Sequence, residues 1–421
     1  MSTSPIALML ALLMLLVPAG RVSELNIAGR TPDLFYVDLV MLAAFVGSGF
    51  LVFRITRLWR TGWRPLLLFF AVVLAGGLQS SDTLAYIGSL RSVFWALTMV
   101  ALATRLRSER EARFVLFALV LGVAIVGVEV LVKVGLGGFG GESEKGEIEL
   151  DWGRSNYFAT FAVVSAFVSY GLVRSVRGTL GRAVAFAGLL AAVLLLVLTK
   201  SRAAMLAAMA TLVLVAPMIA RADTVRRRSL LARLWIVWVP LSVGVLYLAY
   251  PFVVATLGYD LDNFVDSGNL RRIDAWLSAV DAFRASPVLG IGWSNATVLL
   301  DTLTETGTTT HSLPLQLLAE TGLLGAAAMA VLLWRVLGHA GSQPRFALDR
   351  RLRDGLRLAV IGALLHCLVE PSFWGTQFVV VFWLLLTLLH DSREASPVRS
   401  HKAAAVPRGV VNFGQDDVAI G

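Results

Sequence analysis

Phe114-Val115-Leu116-Phe117-Ala118-Leu119-Val120-Leu121-Gly122-Val123-Ala124-Ile125-Val126-Gly127-Val128-Glu129-Val130-Leu131-Val132-Lys133-Val134 is one apolar run, interrupted near its end by a single acid and a single base. A helix needs about 20 such residues to cross a bilayer. Runs of this kind recur from one end of the chain to the other. Of 421 residues, 57% are hydrophobic and only 15% charged, against about 25% charged in soluble domains. Only helices and closed barrels satisfy their backbone groups in lipid. The runs lack the apolar–polar alternation of barrel strands. The expected fold class is therefore an all-α integral membrane protein.

Punctuation between the runs gives about twelve expected transmembrane helices: 5–19, 34–53, 65–78, 84–103, 114–134, 157–173, 183–198, 203–219, 234–250, 314–336, 356–369 and 378–390. The run 6–17 is placed like a signal peptide but lacks a basic leading region, so it reads as the first helix. The loops after even-numbered spans, with the span-end residues Arg335 and Arg357 and the C-terminal tail, hold 26 of the 37 basic residues. Basic residues favour the cytoplasmic side, so both termini are expected inside and the loops after odd-numbered spans outside. The net charge of +9 is then an orientation signal rather than a nucleic-acid footprint, and no nucleic-acid partner is expected. The expected organisation is a membrane domain over 1–392, a long outer loop (251–313) between helices 9 and 10, and a cytoplasmic tail without regular structure over 393–421. Cys367 is the one cysteine, so no intrachain disulfide can form. It lies in an apolar run and reads as a small buried hydrophobe.

Three outer-facing features depart from plain membrane sequence. The Gly-rich acidic stretch 135–153 reads first as a solvated connector. The turn Thr199-Lys200-Ser201-Arg202 puts two cations on the side that the charge bias disfavours. Arg202 is either a snorkelling helix-end arginine or an anion clamp that needs a partner. The long loop has helical spacing at Leu270, Ile273, Trp276, Leu277 and Val280, which predicts a helix along the membrane surface that Ser286-Pro287 ends.

That helix carries Arg271 and Arg272. The planar guanidinium fork holds phosphate through two parallel bonds and its charge does not titrate away. Asp266, Asp274 and Asp281 offer the plainer alternative of surface ion pairs. Trp276 lies one turn from Arg272 and shares its face. His311 follows Thr308-Thr309-Thr310 at the mouth of span 10; it suits proton transfer near neutral pH, or it caps the helix. No second His, Cys or carboxylate stands near it at ligand spacing, so no metal is expected. Gly290-Ile291-Gly292 lacks a dinucleotide fingerprint and reads as a tight bend. Glu320, inside span 10, is costly there and calls for a partner. His366 and Glu370 are i, i+4 and share a face; they read as a buried polar pair rather than a catalytic dyad.

The segments Leu198-Thr199-Lys200-Ser201-Arg202-Ala203, Arg272 with Trp276, Pro287 to Gly292, and His311 with Glu320-Thr321-Gly322-Leu323-Leu324-Gly325 together resemble the O-antigen ligase/polymerase superfamily in order and spacing. The resemblance implies an inverting, metal-independent glycosyltransferase with no cofactor. Its donor would be a glycan on undecaprenyl pyrophosphate, used on the outer face of a bacterial inner membrane. Its acceptor would be a glycan, a lipid A-core or a protein, which spans ligases, polymerases and protein O-oligosaccharyltransferases. On it, Arg202 and Arg272 match the pyrophosphate-binding arginines and His311 the catalytic histidine. Asn156 matches a polar residue near the start of span 6.

The chemistry of the residues agrees. Pyrophosphate leaves an anomeric carbon if its charge is neutralised, which arginines do without a metal. His311 could deprotonate the acceptor hydroxyl or bind phosphate instead. A polysaccharide or lipid transporter would place its polar groups at mid-membrane within inverted repeats, and no repeat is visible. A peptidoglycan glycosyltransferase would use an outer-loop acid, for which Asp260, Asp262 and Asp266 are candidates.

Overall fold

A computed structural model describes residues 3–19, 21–24, 33–47, 55–79, 83–135, 155–221, 267–295, 310–338, 345–370 and 375–394. In chain order the helices are α1 (Pro5–Leu16), α2 (Tyr36–Gly47), α3 (Ile55–Arg60), α4 (Arg64–Gly76), α5 (Thr83–Ala103), α6 (Glu109–Gly135), α7 (Ser155–Ser175), α8 (Thr179–Leu198), α9 (Arg202–Ala210), α10 (Ala216–Arg221), α11 (Ser267–Ala285), α12 (Leu313–Gly338), α13 (Arg350–His366) and α14 (Thr376–Asp391). The helical fold carries two small strand pairs. β1 (Arg21–Glu24) and β2 (Asp33–Phe35) are antiparallel. β3 (Phe346–Leu348) and β4 (Ser392–Glu394) are parallel.

Every expected span except the ninth falls on a helix. The ninth, 234–250, lies outside the described residues, as do the acidic stretch 136–154, Asp260, Asp262, Asp266 and the tail from 395. Among the described residues, four helical segments are long and apolar enough to cross a membrane: Glu109–Val132, Asn156–Ser175, Thr179–Leu198 and Leu313–Leu337. Cys367 is buried, as expected.

The chain packs around α7. Some 72% of its span is buried, against 33% for α8, so α8 is the outer member of this hairpin. Small residues open α7 to close neighbours. At Gly171 it meets Gly355 of α13, where a Cβ added to Gly355 would lie 2.6 Å from the Gly171 Cα. The two backbones are thus in contact. From there both helices run the same number of residues in opposite directions to bring Thr160 against His366 and Asn156 against Glu370.

The two ends of this pair differ in charge. At one end Asp349 caps α13 by accepting from the Arg351 and Leu352 amides at 2.8 and 3.4 Å. There Arg351 Nη1 donates to the Arg174 carbonyl at 3.0 Å, and Arg113 Nη1 to Ser175 Oγ at 2.9 Å. That end is arginine-rich. The opposite end holds the start of α7 and the last residues after α13.

The helix expected in the long loop is α11, and it stops at Ala285, just before Ser286-Pro287. Ala275, Ala279 and Ala282 face inward, the latter two clustering with Ala319 of α12, while Ile273 and Leu277 are exposed. Asp281 pairs with Arg284 on the open face at 3.1 Å.

α12 is broken at Gly322, which has φ 60 and ψ −166. Interrupted helices leave orphan amides and carbonyls, tolerable at membrane depth only where protein satisfies them. The segment 287–292 does this. The Ile291 and Gly292 amides donate to the Ala319 and Glu320 carbonyls at 2.8 and 3.2 Å. In return the Leu323 and Leu324 amides donate to the Pro287 and Val288 carbonyls at 2.9 and 3.2 Å. Gly290, with φ 74, and Gly322 are the facing teeth of this clasp. A Cβ on Gly290 would collide with the Glu320 carbonyl carbon, and one on Gly322 with the Val288 carbonyl. The two glycine motifs of the sequence are one structural device.

Candidate functional site

Glu370 is the centre of the polar cluster at the opposite end, where α7 begins. It follows α13, its amide donating to the His366 carbonyl at 3.1 Å, and it is 2% exposed. Its Oε2 accepts from Asn156 Nδ2 at 3.0 Å. Arg272 Nη2 lies 3.8 Å from the same oxygen and His311 Nδ1 3.5 Å from it. Four segments far apart in sequence thus meet at one carboxylate.

Each is held there by local structure. Asn156 sits in the first turn of α7, whose register against α13 follows from the glycine contact. Arg272 projects from the inward stripe of α11. His311 has φ 47, a left-handed conformation uncommon outside glycine. Such strain persists where surrounding structure enforces it, and it clusters at functional sites. Here the enforcing contact is the Leu313 amide, which donates to the Cys367 carbonyl at 2.8 Å and ties the head of α12 to the end of α13.

The separations say which contacts are hydrogen bonds. At 3.0 Å the Asn156 amide is one; at 3.8 Å the Arg272 pairing is Coulombic. The guanidinium therefore balances the buried carboxylate without committing its planar donor edge to it. Arg272 and His311 are partly exposed while Glu370 is enclosed, so the cations lie on the open side of the acid. His311 Nδ1 faces Glu370, and a small tightening would let Nδ1–H donate to it. That arrangement assigns the free lone pair to Nε2, pointing catalytic capacity away from the acid.

Below Glu370 lies His366, fully buried. Its Nδ1 is 2.6 Å from Thr160 Oγ1. The Thr160 hydroxyl donates to the Asn156 carbonyl at 3.1 Å, so its oxygen is left to accept and His366 carries its proton on Nδ1. The chain His366–Thr160–Asn156 braces the turn that presents the Asn156 amide.

The other candidates fall into place around this cluster. Arg202 opens α9 after a turn in which Lys200 has φ 52 and the Ser201 side chain accepts from the Ala204 amide at 3.4 Å. Since α7 and α8 form a hairpin, this turn lies at the Asn156 end of α7, and α9 packs on both α7 and α13. The Arg202 side chain is exposed. Arg271 shares the turn of Arg272, and its side chain lies outside the described residues. Glu320 is grouped elsewhere. It is 1% exposed, accepts from Gln316 Nε2 at 3.3 Å, and belongs to the clasp at Gly322.

Asn156, Arg272 and His311 are thus brought together as site candidates, and the surface-pair alternative for Arg272 gives way to a buried acid. Glu370 and Thr160 were missed. The signal for Glu370 was present: an acid at the end of an apolar span, with a histidine one turn before it. Reading that pair as a buried polar pair rather than a catalytic dyad did not bring Arg272 or His311 to it.

Residues 187–330 match the family model described as O-antigen ligase. No curated protein matches the chain.

Proposed function

We propose, from the match of residues 187–330 to the O-antigen ligase family model, that this chain is a membrane glycan-transferring enzyme that moves a glycan from undecaprenyl pyrophosphate to an acceptor hydroxyl. The acceptor is a lipid A-core or another glycan, with protein the alternative within the superfamily. The reaction takes place on the outer face of the bacterial inner membrane. The observation that carries the reading is the meeting of Arg272, His311 and Asn156 at Glu370, at the end opposite the arginine-rich one.

The chemistry follows from the residues. The acceptor oxygen attacks the anomeric carbon from the side opposite the pyrophosphate, and the bond to the phosphate oxygen breaks with its electron pair. Arg272, with Arg202 and Arg271 from the same end, neutralises the charge that develops on the leaving group. His311 Nε2 takes the acceptor proton as the new bond forms. Glu370 orients the imidazole and stabilises its protonated form, and Asn156 holds Glu370. The products are the lengthened acceptor, undecaprenyl pyrophosphate and a proton on His311. No metal and no cofactor enters the scheme.

The test is a purified-protein assay that follows release of undecaprenyl pyrophosphate from its glycan-bearing form in the presence of acceptor. Arg272→Lys should transfer poorly, because an ammonium loses the bidentate fork. Undiminished transfer by Arg272→Lys would remove the clamp, and no release by the wild-type protein with any acceptor class would remove the reading. For orientation, a reporter placed within 302–307 should respond from outside the membrane and one after Ser392 from the cytoplasm. An outside response after Ser392 would overturn the arrangement.

A further inference from the structure

We infer that Trp276 is a donor-positioning residue whose indole N–H hydrogen-bonds the pyrophosphate of the lipid-linked donor, beside Arg272. This rests on the proposed function and adds to it a neutral contact that charge alone would not reveal.

The inference starts from an unmet hydrogen-bonding group. Trp276 Nε1 is buried and has no hydrogen-bond partner among the described residues. Indole nitrogen is a donor only, and buried tryptophan N–H groups usually find an acceptor. A group removed from water without one carries a desolvation cost, and such exceptions call for an explanation. Here a ligand oxygen supplies it.

Position selects the ligand. On α11 the residues Arg272, Trp276, Ala279 and Phe283 recur at helical spacing on one face. Ala279 on that face is buried, while Ile273 and Leu277 on the other are exposed. Helical side chains lean toward the N-terminus and cover the preceding turn. The indole therefore lies over the turn of Arg272, whose guanidinium reaches to 3.8 Å from Glu370. Two donors over one turn, one charged and one neutral, suit one anion. The neutral donor adds a bond to a phosphate oxygen without adding a cation beside Arg272. Stacking of the ring on the first sugar is the competing use, and it needs no N–H.

Trp276→Phe separates these uses, since it keeps an aromatic face and removes the donor. Two readouts are taken on the full-length protein: binding of undecaprenyl pyrophosphate without sugar, and transfer kinetics with the glycan-bearing donor. A hydrogen bond to a charged group predicts about tenfold weaker binding of the sugar-free lipid and a matching rise in donor KM. The value of kcat should change less than KM. Trp276→Leu, which also lacks the donor, should give the same binding loss and serves if the Phe variant folds poorly. Unchanged binding in both variants would overturn the inference. So would a defect confined to the glycan-bearing donor, which would move the contact to sugar. Failure of the wild-type protein to bind or use either lipid would instead overturn the functional reading beneath it.

Discussion

His311→Ala is expected to transfer glycan about 10²–10⁴-fold more slowly than the wild-type protein, the usual contribution of a positioned general base. Binding of the lipid-linked donor should change little, because the proposed holders of its pyrophosphate are the arginines. The ground is geometric. His311 sits at φ 47 with Nδ1 3.5 Å from a buried carboxylate, which leaves Nε2 for the acceptor. Glu370→Gln should act in the same direction, slowing turnover more than it weakens donor binding, since it removes the charge that stabilises the protonated imidazole. Turnover and donor binding measured separately decide the matter. Near-normal turnover in His311→Ala would sink the base assignment. Loss of binding at an unchanged maximal rate would make His311 a phosphate ligand.

Gly322→Ala is expected to cost stability rather than chemistry. At φ 60 and ψ −166 the residue occupies a region that is essentially reserved for glycine. An added Cβ would also collide with the Val288 carbonyl and lie 2.6 Å from the Gly290 amide nitrogen. Backbone strain of about 1–3 kcal/mol and overpacking of about 1–3 kcal/mol act together, against a total stability of about 5–15 kcal/mol for a typical domain. The clasp should open or the protein should be recovered in low yield. Gly178→Ala is the matched control, since nothing lies within 4 Å of its Cβ position. Thermal melting of both variants in detergent provides the comparison. A wild-type melting temperature for Gly322→Ala would mean that the clasp is not what holds α12 in its broken form.

The helical class and most helix positions were legible because bilayer thickness imposes a length that composition reveals directly. The end of α11 was legible for a local reason, Pro287. Arg272 and His311 were picked out by their chemistry and by resemblance, and Asn156 by resemblance alone. Their meeting point was not. Glu370 lies far along the chain from all three, and it reaches Asn156 because α7 and α13 run antiparallel in one register. The clasp was hidden for a related reason. Each glycine motif alone reads as a bend or a packing face, and their complementarity appears only when 287–292 is laid against 319–324. Glu320 was a possible site residue because a buried acid in a span calls for a partner; it accepts from Gln316 beside the clasp.

The contact between Gly171 and Gly355 also works as a fulcrum. It lies toward the arginine-rich end, 15 residues of α7 from Asn156, or about 22 Å along a helix axis. Two rods that touch at a fulcrum convert a small separation there into a change of angle along their whole length. The approach of the first turn of α7 to the end of α13 therefore depends in part on two distant residues with no side chains at all. A methyl group at either one acts on the candidate site as a wedge acts on the far end of a pair of tongs.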